Sequence, residues 1–358
     1  MIGSRLQAQL DGYRSSHWYC WTEWREWFTI WFNFEDLVTP FINCWYEQMA
    51  LHLDPRTGRS FSTPGVNIRY IDYGGVDGVT YLDDWHEIPM WNETVYLFEA
   101  LGWEVGNSLR AAPYDWRFGP ETWAAEDWPR LRRLIEETYA LNNNTPVAAV
   151  SLSMGGPYFL GFLNQQTQGW KDKFLHSFIS LDGAFGGSPS AASAGGPPRV
   201  SDPVAMRALV QTWPSSVWML PLAELYGEDY VWVTVSDPPR NYTSADFAQL
   251  LADSTGHNAS LIFRLLQSQS VASHAFFGTN VTTPMRTTFA TVAFDTVPQT
   301  TYGNGDGVVP EAGLRMLERW RGKQAQPIHS YPIKGLFHGT SVWNKQVLRE
   351  VLEIITSP

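Results

Sequence analysis

The sequence predicts an α/β protein built on a mostly parallel sheet, and three kinds of stretch carry that prediction. "EDWPRLRRLIEETYALNNN" places Leu131, Leu134, Ile135 and Tyr139 at helical spacing with Glu and Arg between them, so one face is apolar and the other wet. "PVAAVSL" is a short apolar run that passes through one tight turn into a second apolar helix, "GPYFLGFLNQQ". "HSFISLDGAFGGS" and "PIHSYPIKGLFHG" each read as a buried strand running into a glycine-containing loop. Short apolar strands alternating with helices close a parallel sheet, and reactive groups on such a sheet gather at the carboxyl ends of the strands.

Between about Gly187 and Pro298 this alternation dissolves, first into "SPSAASAGGPPRVSDP" and then into polar stretches dotted with aromatics. The expected organisation is therefore one domain with insertions: residues 1–186 as the first part of the core, 187–298 as a cap and 299–358 as the last part. The Ala/Gly/Ser/Pro run at 188–203 is expected to be a mobile linker.

Composition removes several functions. The chain has 358 residues with 25 basic and 36 acidic side chains, a net charge of -11, which argues against a nucleic-acid partner because phosphate binding needs clustered Lys and Arg. No run of about 18 apolar residues predicts a membrane span. The opening "MIGSRLQAQLDGYR" lacks the apolar core of a secretory signal. Even so, glycosylation sequons at Asn92, Asn143, Asn241, Asn258 and Asn280 point to a secreted or lysosomal chain. Cys20 and Cys44 bracket most of the tryptophan-rich segment that begins "HWYCWTEWREWFTIWFNF". They are either two buried thiols or a disulfide closing a loop of about 25 residues, which is worth roughly 3 kcal/mol.

"AVSLSMGGPY" holds the first chemical candidate, Ser153. A nucleophile carried on a strained strand-to-helix turn needs small residues two before and two after it, and here those are Ser151 and Gly155. Ser151 as the nucleophile would lie inside the strand. A serine that merely caps the next helix is the other reading. A hydroxyl needs a base, and a base needs an orienting carboxylate; on this kind of sheet they follow in the order Ser, Asp or Glu, His. "TYGNGDGVVP" offers Asp306 in a glycine-rich loop, and "KGLFHGTSVW" offers His338 just after an apolar strand. Asp115 and Asp182 are rival carboxylates that break the order or lie too near the serine strand; Asp115 in "APYDWRF" is expected to pair with Arg117 or to cap a turn.

Several blocks together resemble the lecithin:cholesterol acyltransferase family, including its lysosomal phospholipase A2 branch. They are "RAAPYDWR" (110–117), "WKDKFLHSFISLDGAFGGS" (170–188), "GNGDGVVP" (303–310) and "HGTSVWNK" (338–345), with "FTIWFNF" and the two cysteines resembling its lid. The resemblance spans nearly the entire chain and is weakest in the cap. It implies an α/β-hydrolase fold with an inserted cap and a lid at 18–46 tied by a Cys20–Cys44 disulfide. It also implies Ser153 as nucleophile with Asp306 and His338 as its partners, an oxyanion hole from the N–H groups of Met154 and Met1, and Trp31 as an acyl-contacting lid residue.

The implied reaction moves a fatty acyl group from a glycerophospholipid, through an acyl-serine, to a lipid alcohol such as a sterol or to water, with no metal or organic cofactor. The expected partners are a phospholipid membrane or lipoprotein surface and the lipid alcohol; no protein activator is indicated. Charged Glu23, Arg25 and Glu26 interleave with Trp21, Trp24 and Trp27, so these indoles cannot all be core, and a lipid–water interface suits them. Two departures stand out: Ser151 and Leu152 replace the family's Gly-His before the serine, and its first core strand, ending in Pro-Gly ahead of "IGSRLQAQLDG", is missing. The alternatives kept are a neutral-lipid lipase or esterase and a lipid-binding member impaired in catalysis.

Overall fold

The computed structural model describes residues 3–54, 56–193, 202–255 and 270–357. The chain folds as two compact units, one formed by residues 128–193 and 218–358 and the other by 2–127 and 194–217.

In the second of these, β1 (Leu6–Asp11) lies between β2 (Glu23–Trp31) and β5 (Val66–Tyr70) in an antiparallel sheet, and β3 (Leu51–Leu53) pairs with β4 (Ser60–Ser62). Along β1 the side chains of Leu6, Ala8 and Leu10 are buried while Gln7 and Gln9 stay partly exposed, the period-two pattern of a sheet with one covered face. Strand β2 is exposed at its start and buried at its end. A disulfide joins Cys20 to Cys44, which lies in the helix Ile42–Met49. Much of the expected lid is thus regular structure. Buried indoles satisfy their N–H groups on backbone oxygens: Trp45 on Ile30 at 3.0 Å, Trp116 on Ser4 at 3.1 Å and Trp213 on Met49 at 2.8 Å.

The other unit carries the parallel sheet. It contains β6 (Val147–Leu152), β7 (Leu175–Leu181), β8 (Val233–Asp237), β9 (Arg240–Tyr242), β10 (Ser273–Thr279), β11 (Val281–Thr291), β12 (Gln299–Gly305) and β13 (Ile328–Lys334). Four of these form an all-parallel sheet in the order β13-β10-β7-β6. The remaining four form a mixed sheet in the order β12-β11-β8-β9. The α/β class with a mostly parallel core sheet is as expected, and so are the helices Trp128–Leu141 and Gly155–Asn164.

Two details differ from expectation. Strand β6 was expected to be buried, yet all six of its residues are half-buried, because it is the edge strand of its sheet. Strand β10 falls within the stretch read as a cap, 187–298, but it sits between β7 and β13 in the core sheet. Its seven residues, "SHAFFGT", are too short an apolar run to stand out between polar stretches, and only the parallel pairing of Phe276 with Leu181 and Tyr331 identifies it. Within that stretch, 194–201 and 256–269 lie outside the described residues, which takes in half of the linker expected at 188–203; of the rest, Pro189–Ser193 is a short helix.

Candidate active site

Ser153 stands at the turn between β6 and the helix Gly155–Asn164. Its backbone is left-handed at φ 53, a conformation that costs a non-glycine residue about 1–3 kcal/mol and persists only when its surroundings hold it. They do: the Ser153 N–H donates to the Leu181 carbonyl at 2.9 Å, and the Ser153 carbonyl accepts from Gly156 and Ala184 at 3.0 and 3.2 Å. The turn is tight against β7. A Cβ on Gly156 would meet the Phe185 ring at 2.9 Å, the Ser180 hydroxyl at 3.1 Å and the Gly183 Cα at 3.3 Å. Gly155, the residue that the elbow spacing singles out, is less crowded: its nearest neighbour is the Ser151 Cβ at 3.4 Å. The buried hydroxyl of Ser151 has no hydrogen-bond partner among the described residues.

Asp306 follows β12 and is fully buried. Its Oδ1 accepts the backbone N–H groups of Val308 at 3.0 Å and Val309 at 2.8 Å, a local turn that Gly307, at φ 101, makes possible. Its Oδ2 lies 2.7 Å from His338 Nδ1, and the His338 N–H donates to the Asp306 carbonyl at 2.8 Å. His338 Nε2 lies 2.8 Å from Ser153 Oγ. With the ring proton on Nδ1, the imidazole donates to the carboxylate and accepts from the hydroxyl, so a proton can leave Oγ for Nε2. The three side chains come from residues 153, 306 and 338 and meet at the carboxyl ends of β6, β12 and β13, the chain order Ser, Asp, His.

The Met154 N–H, at the start of the helix Gly155–Asn164, donates no hydrogen bond among the described residues, and there it adds to the positive end of the helix dipole. Met1 lies outside the described residues.

The remaining candidates separate. Asp115 pairs with Arg117, as expected: Oδ2 lies 2.7 Å from Nη2, with the guanidinium fully buried. Trp31 is not an open surface residue. Its ring is buried against Trp45 and Trp116, with centroids 5.9 and 5.4 Å away, because β2 turns its last residues into that unit's core. The exposed indoles of the segment are Trp18, Trp21 and Trp24. Of the sequon asparagines, Asn143, Asn241 and Asn280 are exposed, Asn92 is half-buried, and Asn258 lies outside the described residues.

Sequence reasoning passed over one residue at this site. Asp182, set aside as too near the serine strand, is fully buried just after β7, with its backbone left-handed at φ 49. Its Oδ2 accepts the Gly339 N–H at 2.9 Å and the Ser341 hydroxyl at 2.6 Å, both on the loop that carries His338. Burial pushes its carboxyl above the usual carboxylate range, partly offset by the nearby His338 and Ser341. The one sequence signal was an aspartate followed by glycine at the end of an apolar strand.

Comparison with known proteins finds relatives along nearly the whole chain. Residues 27–268 match the family described as "Lecithin:cholesterol acyltransferase". The "Phosphatidylcholine-sterol acyltransferase" of Mus musculus is 30% identical over 99% of this chain and 83% of its own length. The protein of the same description from Homo sapiens is 29% identical over 99% of this chain and 82% of its own. The "Lysosomal phospholipase A and acyltransferase" of Bos taurus is 29% identical over 100% of this chain and 90% of its own.

Proposed function

Because the chain belongs to the lecithin:cholesterol acyltransferase family, whose members are acyl-transferring and phospholipase enzymes, we propose that it carries out a two-step acyl transfer on glycerophospholipids through Ser153. The observation that carries this reading is the unbroken chain Ser153 Oγ, His338 Nε2, His338 Nδ1, Asp306 Oδ2, with links of 2.8 and 2.7 Å on either side of the ring.

His338 Nε2 takes the Oγ proton as Oγ attacks the ester carbonyl carbon of the phospholipid. Negative charge then grows on the carbonyl oxygen, where the Met154 N–H is its donor; the second donor, expected at Met1, falls outside the described residues. As the C–O bond breaks, the lysophospholipid oxygen recovers the proton from Nε2, leaving an acyl-serine. A lipid alcohol such as a sterol, or water, repeats the sequence in reverse and carries the chain away. Asp306 keeps the imidazole in the right tautomer and balances the imidazolium that forms. The exposed Trp18, Trp21 and Trp24 suit the headgroup region of a phospholipid membrane or lipoprotein surface, where an indole buries its ring and keeps its N–H wet. The chain acts in a secreted or lysosomal setting, with glycans on the exposed sequons.

The test is a lipid product analysis by mass spectrometry after incubation with phosphatidylcholine–sterol vesicles, beside Ser153→Ala and beside a triglyceride emulsion. Serine-dependent sterol ester establishes acyl transfer to the sterol, and serine-dependent fatty acid alone establishes a phospholipase. A Ser153→Ala protein that releases fatty acid at the wild-type rate refutes the assignment, and a preference for triglyceride identifies a neutral-lipid lipase.

A further inference from the structure

Two carboxylates, not one, are tied to the segment that carries the imidazole. Asp306 holds the ring itself. Asp182 holds the backbone just beyond it, through the Gly339 N–H at 2.9 Å and the Ser341 hydroxyl at 2.6 Å. It reaches across 157 and 159 positions of sequence to do so, from the end of β7, the strand that also anchors the Ser153 N–H through the Leu181 carbonyl. Nucleophile and base are therefore referenced to neighbouring residues of one strand end, Leu181 and Asp182.

We propose that Asp182 is a positioning residue: its buried carboxyl group locks the His338 loop against the strand end that holds the Ser153 turn, so that Nε2 stays within reach of Oγ. The inference rests on the acyl-transfer reading above.

Three features of the site support it. Asp182 is fully buried in a left-handed backbone conformation, a combination that local sequence does not favour and that needs a tertiary reason. Its Oδ2 takes both hydrogen bonds from the His338 loop, while Oδ1 has no hydrogen-bond partner among the described residues, so the carboxyl group serves no other contact there. The ionisable groups that face it are His338 and Asp306, so the contact is made inside the site itself.

In Asp182→Ala, assayed on phosphatidylcholine vesicles, we expect kcat to fall about 10- to 100-fold with KM little changed, because the loop that carries His338 loses both hydrogen bonds. Asp182→Asn, whose side-chain carbonyl can accept the same two hydrogen bonds, should recover kcat to within about 10-fold of wild type. Ser153→Ala, run alongside, tests the acyl-transfer reading separately. Wild-type kcat in Asp182→Ala would overturn the anchor, as would a raised KM at unchanged kcat or an Asp182→Asn protein no faster than Asp182→Ala. If Asp182→Ala does not fold, Ser341→Ala carries the test: about a 3- to 10-fold drop in kcat at unchanged KM supports the anchor, and wild-type kcat overturns it.

Discussion

Around Ser153 the backbone is tightly packed on one side: its amide, its carbonyl and the missing Cβ of Gly156 all abut β7 or the loop after it. Across residues 18–45, around the Cys20–Cys44 disulfide, the arrangement is open, with Trp18, Trp21 and Trp24 exposed at 94%, 63% and 41% while Trp31 and Trp45 pack inside. One region gains its geometry from backbone hydrogen bonds and close approach, the other from a covalent tie and a few buried indoles. The difference teaches what each tolerates. A site that must hold three atoms within hydrogen-bond reach is intolerant of added volume, whereas an exposed aromatic segment tolerates truncation and loses only what the aromatics touch.

The comparison breaks first, and most severely, at the carboxylate. Asp306→Asn should lower kcat by about ten-thousand-fold while leaving the fold intact, because asparagine cannot balance the imidazolium and favours the wrong tautomer; single-turnover kinetics would register it. Next in size is the covalent tie. Cys20→Ser should cost about 3 kcal/mol by the loop-closure model for its sequence separation of 24, read as a lowered denaturation midpoint.

Two adjacent glycines sharpen the contrast within the tightly packed region. Gly156→Ala should cost about 1–3 kcal/mol, since its methyl would enter the space of the Phe185 ring and the Ser180 hydroxyl. Gly155→Ala should change stability by less than about 1 kcal/mol, because its methyl meets only the Ser151 Cβ at ordinary contact distance and alanine favours a helix start. A result with the two reversed would mean that the elbow is packed from the strand side and not from β7. The smallest effect on the fold belongs to the open region. Trp18→Ala with Trp21→Ala should leave stability within about 0.5 kcal/mol. The same pair should weaken binding to phosphatidylcholine vesicles about tenfold by flotation, through lost apolar burial.

Much of the site was legible locally. A tight turn between an apolar strand and an apolar helix announces Ser153, and glycines beside Asp306 and His338 announce loops at strand ends, because backbone conformation and burial periodicity are written in neighbouring residues. The α/β class follows from the same periodicity. Strand β10 was not legible, because seven residues carry too little pattern to separate strand from cap without their partners Leu181 and Tyr331. The exposure of β6 was not legible either, since whether a strand lies at an edge depends on which others pair with it.

Local sequence carried the α/β class, several of its helices and strands, and the candidate side chains of the site, because periodicity and turn composition are written in near neighbours. Only the tertiary structure decided which aromatics are buried, putting Trp31 in a core and leaving Trp18 in solvent. It alone disclosed that Asp182 reaches the His338 loop. Burial and a hydrogen bond across more than 150 positions are properties of the folded arrangement. No local propensity encodes them, because the entropy of closing so long a segment is repaid only when the whole sheet forms.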